Sequence, residues 1–125
     1  MQNKVLVVDD EKDILDIVKE LLKVEGYIVE TAIDGEEGLN KVKEFNPDVI
    51  VADVMMPRMD GYEFVKKLRE DQKYSSIPVI FLTAKDQLTD RYKGLSLGVA
   101  AYIVKLLDLD ELKESIKEVL TCKTA

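Results

Sequence analysis

Histidine is absent from this chain, and cysteine occurs only once, at Cys122. Without histidine, the chain supplies no imidazole metal ligand, no Ser–His or Cys–His nucleophile pair and no phosphohistidine. A single cysteine excludes a disulfide bond within the chain, which fits a reducing compartment. Chemistry in this chain therefore depends on carboxylates, hydroxyls and lysines.

Positive charge and long apolar runs are also scarce. The chain has 18 Lys and Arg residues against 25 Asp and Glu residues, for a net charge of −7. This balance argues against direct binding of nucleic acid, because neutralising phosphates requires clustered basic side chains. No segment approaches the ~20 apolar residues of a membrane span, and the first residues do not resemble a signal peptide. We therefore expect a cytoplasmic protein that contacts neither nucleic acid nor membrane.

The chain has the length and apolar content of one domain, with 125 residues of which 46% are hydrophobic. We predict that this domain covers residues 1–121 and that residues 122–125 form a short tail.

Short β-branched runs alternate with segments whose apolar residues recur at helical spacing. Strands are predicted at 5–8, 27–32, 48–52, 79–82 and 102–104, and a helix follows each strand, the fourth at about 86–97. Asp10 is predicted to cap the first helix, Gly26 to end it and Asn46 to end the second. Five strand–helix units in strict alternation indicate an α/β fold in which five helices cover both faces of a parallel sheet.

Polar residues follow four of the five predicted strands. Asp9 and Asp10 follow the first, Asp53 the third, Thr83 the fourth and Lys105 the fifth. Sites in parallel α/β sheets form outside the carboxyl ends of the strands, so these groups should meet at one edge. One lysine does not offset three carboxylates, whereas Mg²⁺ prefers carboxylates, waters and phosphate oxygens as ligands. The pattern predicts a magnesium site that carries out phosphate chemistry.

Each polar residue has an expected part in that chemistry. Asp53 is central, and a carboxylate there can attack phosphorus to form an aspartyl phosphate. Asp9 and Asp10 would hold the metal, while Thr83 and Lys105 would contact the phosphoryl oxygens. Taken singly, Asp10 is more often a helix cap, Thr83 a strand-end hydroxyl and Lys105 a solvated lysine. Their joint occurrence at four strand ends favours a shared site.

Four short motifs resemble the receiver domain of two-component response regulators. They are VVDDE at 7–11, DVMMPRMDG at 53–61, LTAK at 82–85 and YIVK at 102–105. The resemblance spans essentially the whole chain and implies a flavodoxin-like five-stranded parallel sheet with strand order 2-1-3-4-5.

The resemblance also implies a role for each site residue. Asp53 matches the phosphoacceptor, and the metal ligands would be Asp9, Asp10, Asp53 and the backbone carbonyl of Met55. The remaining matches are Thr83 as the switch hydroxyl, Tyr102 as the switch aromatic residue and Lys105 as the active-site lysine.

The implied function is a phosphoryl-accepting signalling switch with Mg²⁺ as cofactor. The donor would be the phosphohistidine of a partner kinase or phosphotransfer protein, or a small acyl phosphate. Phosphorylation would alter the face formed by the fourth helix, the fifth strand and the fifth helix, which would act on a downstream protein or a covalently linked output domain. Such a domain is not an enzyme in the usual sense, because it catalyses only its own phosphorylation and dephosphorylation.

Other proteins of this architecture fit less well. A flavin mononucleotide binder would need a hydroxyl-rich or glycine-rich phosphate loop where this chain has acids, and a cobalamin domain would need a histidine ligand. A haloacid dehalogenase phosphatase would usually carry a second aspartate at the position of Met55. The open alternative is a degenerate receiver that docks proteins independently of phosphorylation.

Two positions depart from the family pattern. Leu106 follows the lysine where the family usually has proline, and a non-proline bond is expected to be trans. Residues 98–101 carry no acid pair, which weakens a charge-paired dimer through the output face. We expect Leu106 and Leu107, with Val99 and Ala100 nearby, to leave an apolar patch on the output face.

Overall fold

Five parallel strands form one sheet in the computed structural model of the chain, which describes residues 3–84, 96–104 and 109–124. The strand order is β2-β1-β3-β4-β5, which confirms the predicted order 2-1-3-4-5. The strands are β1 (Lys4–Val8), β2 (Ile28–Ala32), β3 (Val49–Ala52), β4 (Val79–Thr83) and β5 (Ala101–Val104). The helices within the described ranges are α1 (Lys12–Val24), α2 (Gly35–Phe45), α3 (Gly61–Glu70) and α4 (Leu109–Thr124).

The helix α4 corresponds to the fifth helix of the sequence prediction. The predicted fourth helix falls largely on residues 85–95, outside the described residues. Across the ranges that the structure covers, no helix has the length and hydropathy needed to span a membrane.

Two apolar layers cover the sheet because successive strand residues point to opposite faces. One layer packs α1 and α4 against the sheet through side chains such as Leu22 and Ile116. The other, called the α3 layer below, packs α2 and α3 through side chains such as Val42 and Phe64. Both faces of every central strand are therefore dry, as the continuous apolar runs predicted.

The interior strand β1 pairs with β2 on one side and β3 on the other. The ladders continue past the strand ends, because Asp9 N donates to Ala32 O at 3.1 Å and Asp53 N donates to Val8 O at 2.9 Å. These two hydrogen bonds bring the residues that follow β1 and β3 to the same edge of the sheet.

Local capping determines where the helices begin and end. Asp34 Oδ1 accepts a hydrogen bond from Glu37 N at 2.8 Å before α2, and Asp60 Oδ1 accepts one from Glu63 N at 2.9 Å before α3. The helix α2 ends at Asn46, as the sequence predicted. Asn46 takes a left-handed conformation there.

Three details of the sequence prediction were wrong. The residue that caps α1 is Glu11 rather than Asp10, and no side chain caps that helix. The helix α4 continues to Thr124, where a tail had been predicted from residue 122. Val99 is buried by packing against the α3 layer, so it does not contribute to an exposed apolar patch. Leu106 and Leu107 lie outside the described residues.

Two cations connect helices to neighbouring segments. Arg69 at the end of α3 donates to Ile77 O at 2.8 Å and to Gly98 O at 3.4 Å, and burial lowers the pKa of its guanidinium. Lys113 on α4 pairs with Glu25 at 3.3 Å, and the hydrogen bond to Glu25 raises the pKa of its ammonium.

Candidate functional site

Four carboxylates cluster at the carboxyl edge of the sheet. Oxygen atoms from Asp9, Asp10, Glu11 and Asp53 lie within 4.8 Å of one another. Asp9 and Asp53 are only 2% and 3% exposed, whereas Asp10 and Glu11 are exposed. The cluster therefore has a buried half, which belongs to the sheet, and an open half that faces solvent.

Backbone N–H groups two residues downstream hold both buried acids. Asp9 Oδ1 accepts a hydrogen bond from Glu11 N at 2.9 Å, and Asp53 Oδ1 accepts one from Met55 N at 3.2 Å. Such turns are a local preference of aspartate after a strand. Each hydrogen bond fixes its carboxylate at the carboxyl edge of the sheet.

A glycine fixes the distance between the end of β3 and the start of α3. Gly61 N donates to Val54 O at 2.8 Å. A Cβ atom at Gly61 would lie 2.5 Å from Asp53 O and 2.8 Å from Val54 Cα, both of which are backbone atoms. Because backbone cannot yield as a flexible side chain can, α3 approaches Asp53 this closely only with glycine at this position.

The loop between β3 and α3 contains a tight turn. Met59 N donates to Pro57 O at 2.7 Å around Arg58, whose φ of 68° lies in the left-handed region. This three-residue γ-turn is strained for a residue with a side chain. The Arg58 guanidinium contacts Asp34 Oδ2 at 3.4 Å, although most of the arginine side chain is in solvent.

An open depression lies beside the acids, with a volume of about 400 Å³. It leaves room for a ligand to approach Asp10, which belongs to the exposed half of the cluster. Its lining residues are Asp10, Val54, Met55, Met56, Pro57 and Asp60.

The donor set suits a hard divalent cation. Ligand oxygens on opposite sides of one Mg²⁺ are separated by roughly 4.2 Å, because each metal–oxygen bond is about 2.1 Å long. The carboxylate oxygens of the cluster, at 4.8 Å or less, need only a small adjustment to reach that spacing. A cation would also offset the repulsion among four negative charges. The residues therefore fit a magnesium ion at this edge.

The two predicted switch residues, Thr83 and Tyr102, lie on β4 and β5. Thr83 ends β4 and is fully buried, and Tyr102 on β5 is 8% exposed. The backbone register places Phe81 opposite Tyr102 and Thr83 opposite Val104. The Tyr102 ring meets Phe81 edge to face, with 6.0 Å between ring centroids. The predicted switch tyrosine therefore occupies an inward position in this structure.

The structure brings together Asp9, Asp10 and Asp53, as the strand-end argument predicted. Lys105 lies outside the described residues, so its predicted role stays a prediction. Sequence reasoning missed Glu11 as a member of the cluster. The signal was present, because Glu11 directly follows two acids, but assigning the helix cap to Asp10 hid it.

Several protein families share this architecture, and comparison with family models shows which of them the chain matches. The family model described as the response regulator receiver domain matches residues 5–117. The chain belongs to the response regulator receiver domain family. Solved receiver structures agree: the chemotaxis protein CheY4 of Vibrio cholerae superposes with a TM-score of 0.90 at 38% identity, covering 96% of this chain and 100% of CheY4.

Curated relatives of this receiver domain are longer proteins. It is 44% identical to the probable transcriptional regulator ycf27 of Guillardia theta over 95% of this chain and 46% of that protein. It is 43% identical to the alkaline phosphatase synthesis transcriptional regulatory protein PhoP of Bacillus subtilis, over 96% of this chain and 49% of PhoP. The receiver domain thus spans about half the length of these relatives.

Proposed function

We propose that this receiver domain is a signalling switch that accepts a phosphoryl group on Asp53 with the help of Mg²⁺. The observation that carries the proposal is the acid cluster, in which the carboxylates of Asp9, Asp10, Glu11 and Asp53 share one edge of the sheet within 4.8 Å. Holding four acids together is costly without a cation, and Mg²⁺ with phosphate is the chemistry that these ligands suit.

The transfer is a displacement at phosphorus. An Asp53 carboxylate oxygen attacks the phosphorus of a partner's phosphohistidine or of a small acyl phosphate. The P–N or P–O bond to the leaving group breaks, and the leaving group keeps the electron pair. The hydrogen bond from Met55 N to Asp53 Oδ1 keeps the carboxylate in a fixed orientation during this step. When bound, Mg²⁺ neutralises negative charge on the transferring group.

Asp9, Asp10 and the Met55 carbonyl would hold the metal together with Asp53. Asp10 lines the depression through which the donor approaches, whereas Asp9 is fixed by the hydrogen bond from Glu11 N. We assign the exposed carboxylate of Glu11 to the outer part of the same cluster.

Thr83 and Lys105 then contact the phosphoryl oxygens, and the surface around β5 and the helices beside it changes shape. The strand register puts Tyr102 on the same face of the sheet as Thr83, and we assign it to the same response. The domain therefore catalyses only its own phosphorylation and dephosphorylation.

The expected partners follow from this role. A histidine kinase or phosphotransfer protein supplies the phosphoryl group, and a downstream protein or linked output domain receives the signal. Because the relatives ycf27 and PhoP are about twice as long as this chain, a linked output domain is one expected arrangement. We expect the domain to work in the cytoplasm, and its net charge of −7 argues against direct contact with nucleic acid.

The test is phosphorylation by acetyl phosphate with Mg²⁺, followed by intact mass measurement. The parent should gain one phosphoryl group, and Asp53→Asn should gain none. Its thermal stability without Mg²⁺ should stay equal or rise, because one of several repelling charges is removed. Asp60→Asn is the matched control, since it makes the same chemical change near the site and keeps a residue able to cap α3.

Two outcomes would contradict the proposal. Labelling of Asp53→Asn equal to the parent, with no substitute acceptor found by peptide mapping, would remove Asp53 from the role. A parent that accepts no phosphoryl group from acetyl phosphate or from any phosphohistidine donor would favour the degenerate docking module.

A further inference from the structure

Three aromatic rings form a continuous row inside the α3 layer of the core. Phe81 on β4 meets Tyr62 at a centroid distance of 5.6 Å and Tyr102 at 6.0 Å, and both pairs cross at 89°. Edge-to-face contacts of this kind are the favoured geometry of aromatic pairs, because a positive ring edge meets a negative ring face. Phe81 is the shared member of both contacts.

The row is almost completely closed to solvent. Phe81 is 0% exposed, Tyr62 is 6% exposed and Tyr102 is 8% exposed. Phe81 is also paired in register with Ala52 of β3 and with Tyr102 of β5, so its backbone is fixed from both sides. Outward rotation of the Tyr102 ring would lose the edge contact and leave a space beside Phe81.

The same ring reaches the backbone that carries Asp53. A Cβ atom at Gly61 would lie 3.1 Å from the Phe81 ring and 2.5 Å from Asp53 O, so Phe81 and the end of β3 enclose Gly61. Tyr62 is the next residue in α3. The row therefore runs from the start of α3, beside Asp53, through β4 to Tyr102 on β5.

We propose that Phe81 is a positioning residue that holds the Tyr102 ring inward through this row, whether or not Asp53 carries a phosphoryl group. The inference rests on the proposed function only where Tyr102 is assigned to the switch. According to this proposal, the packing of α3 against β4 determines the position of the Tyr102 ring, in addition to any contact with the hydroxyl of Thr83. Movement of the Asp53 backbone then reaches β5 through Phe81 and Tyr102, as well as through Thr83.

The first test measures how accessible the Tyr102 ring is, in protein that has met no phosphoryl donor. The protein is labelled with ¹³C in its tyrosine rings, and a soluble paramagnetic agent reports the exposure of each ring by NMR. In the parent, Tyr102 should be as protected as Tyr62 and better protected than the half-buried Tyr27. In Phe81→Leu, the ratio of inward to outward Tyr102 should fall by roughly two- to tenfold, the value of one such ring contact.

Phe64→Leu is the matched control. Phe64 is also 0% exposed and lies in the same core layer, but its ring lies beside Gly38 of α2, where Val8 of β1 is also close. Both variants create a similar cavity, so both should lower the melting temperature. Only Phe81→Leu should expose Tyr102, and equal exposure in both variants would overturn the proposal because it would indicate general loosening of the core.

A second pair of variants approaches the row from α3 and serves where Phe81→Leu fails to fold. Tyr62→Phe keeps the ring that contacts Phe81, and it should leave Tyr102 protected. Tyr62→Leu removes that ring, and it should increase the exposure of Tyr102. The same exposure of Tyr102 in these two variants would contradict a role for the ring row.

The final comparison adds beryllofluoride, an analogue of the phosphoryl group, together with Mg²⁺. The proposal expects the parent Tyr102 to be protected before and after the addition. Protection that develops only after the addition would overturn it. Failure of Asp53 labelling would instead overturn the proposed function, and the accessibility of Tyr102 without donor would still stand as an independent result.

Discussion

The two halves of the site are held in different ways. At the ends of β1 and β3, each buried carboxylate accepts a hydrogen bond from a backbone N–H two residues downstream, as Asp9 does from Glu11 and Asp53 from Met55. On β4 and β5, burial and ring contacts from separate elements hold the side chains, as Phe81 holds Tyr102. Local chain geometry thus positions the acid half of the site, and long-range packing positions the other half, which contains Thr83 and Tyr102, the proposed switch residues.

This difference predicts how each half responds to change. A local turn persists when distant packing loosens, whereas a packed ring row responds to any change in the helix that supports it. Gly61 is the one residue described above that touches both halves, because it faces Asp53 O on one side and the Phe81 ring on the other. The largest effect is therefore expected there.

Gly61→Ala should destabilise the fold by roughly 1–3 kcal/mol, the usual cost of forcing an extra carbon into a packed site. The added Cβ would meet the backbone at Asp53 O, so α3 must shift and disturb both halves together. Urea unfolding measures the loss. Lys66→Ala, an exposed change in the same helix, should leave the midpoint almost unchanged. If Gly61→Ala were as stable as the parent, Gly61 would not connect the two halves of the site.

Mg²⁺ should stabilise the folded protein by binding to the acid half of the site. A cation at about ten times its dissociation constant adds about 1.4 kcal/mol to the free energy of unfolding, because the unfolded chain has no assembled site. Asp10→Asn should remove most of this gain. Asp16→Asn removes one exposed carboxylate from α1 outside the cluster and should keep it. A melting temperature that ignores millimolar Mg²⁺ in the parent would mean that the acids do not form a working metal site.

Met55→Asn should have the smallest effect, and it should act on the lifetime of the aspartyl phosphate. Met55 is 53% exposed beside Asp53, and a thioether orients water poorly, whereas an amide both donates and accepts. We expect roughly a threefold change in dephosphorylation, about 0.65 kcal/mol, and a smaller change in phosphorylation. Radiolabel decay and uptake give the two rates.

Val24→Asn provides the control for Met55→Asn, since Val24 is an exposed apolar residue at the far end of α1. It should alter neither rate. Equal changes in both rates of Met55→Asn would remove Met55 from the path of the hydrolytic water.

The acid half was largely predictable from the sequence. Apolar runs that end in Asp9 and Asp53 indicated buried strands with acids at one edge, and the structure brings these acids together. The part that was missed was also local. Asp9, rather than Asp10, accepts the N–H at the start of α1, so Asp10 and Glu11 both remain at the open side of the cluster.

The ring row was beyond prediction from the sequence, for a physical reason. Tyr62, Phe81 and Tyr102 are far apart along the chain, and each reads simply as an apolar residue of its own element. Their contact depends on β4 pairing with β5 and on α3 packing across β4 at one particular height. No periodicity within a single segment contains that information.

The strand order has a consequence for how the chain acquires its structure. Both pairings that bring Asp9 beside Asp53, of β1 with β2 and of β1 with β3, lie within the first 52 residues. The strands that hold Asp9 beside Asp53 are therefore synthesised before β4 and β5. The ring row needs β5, so the acid edge can form first in time as well as in sequence.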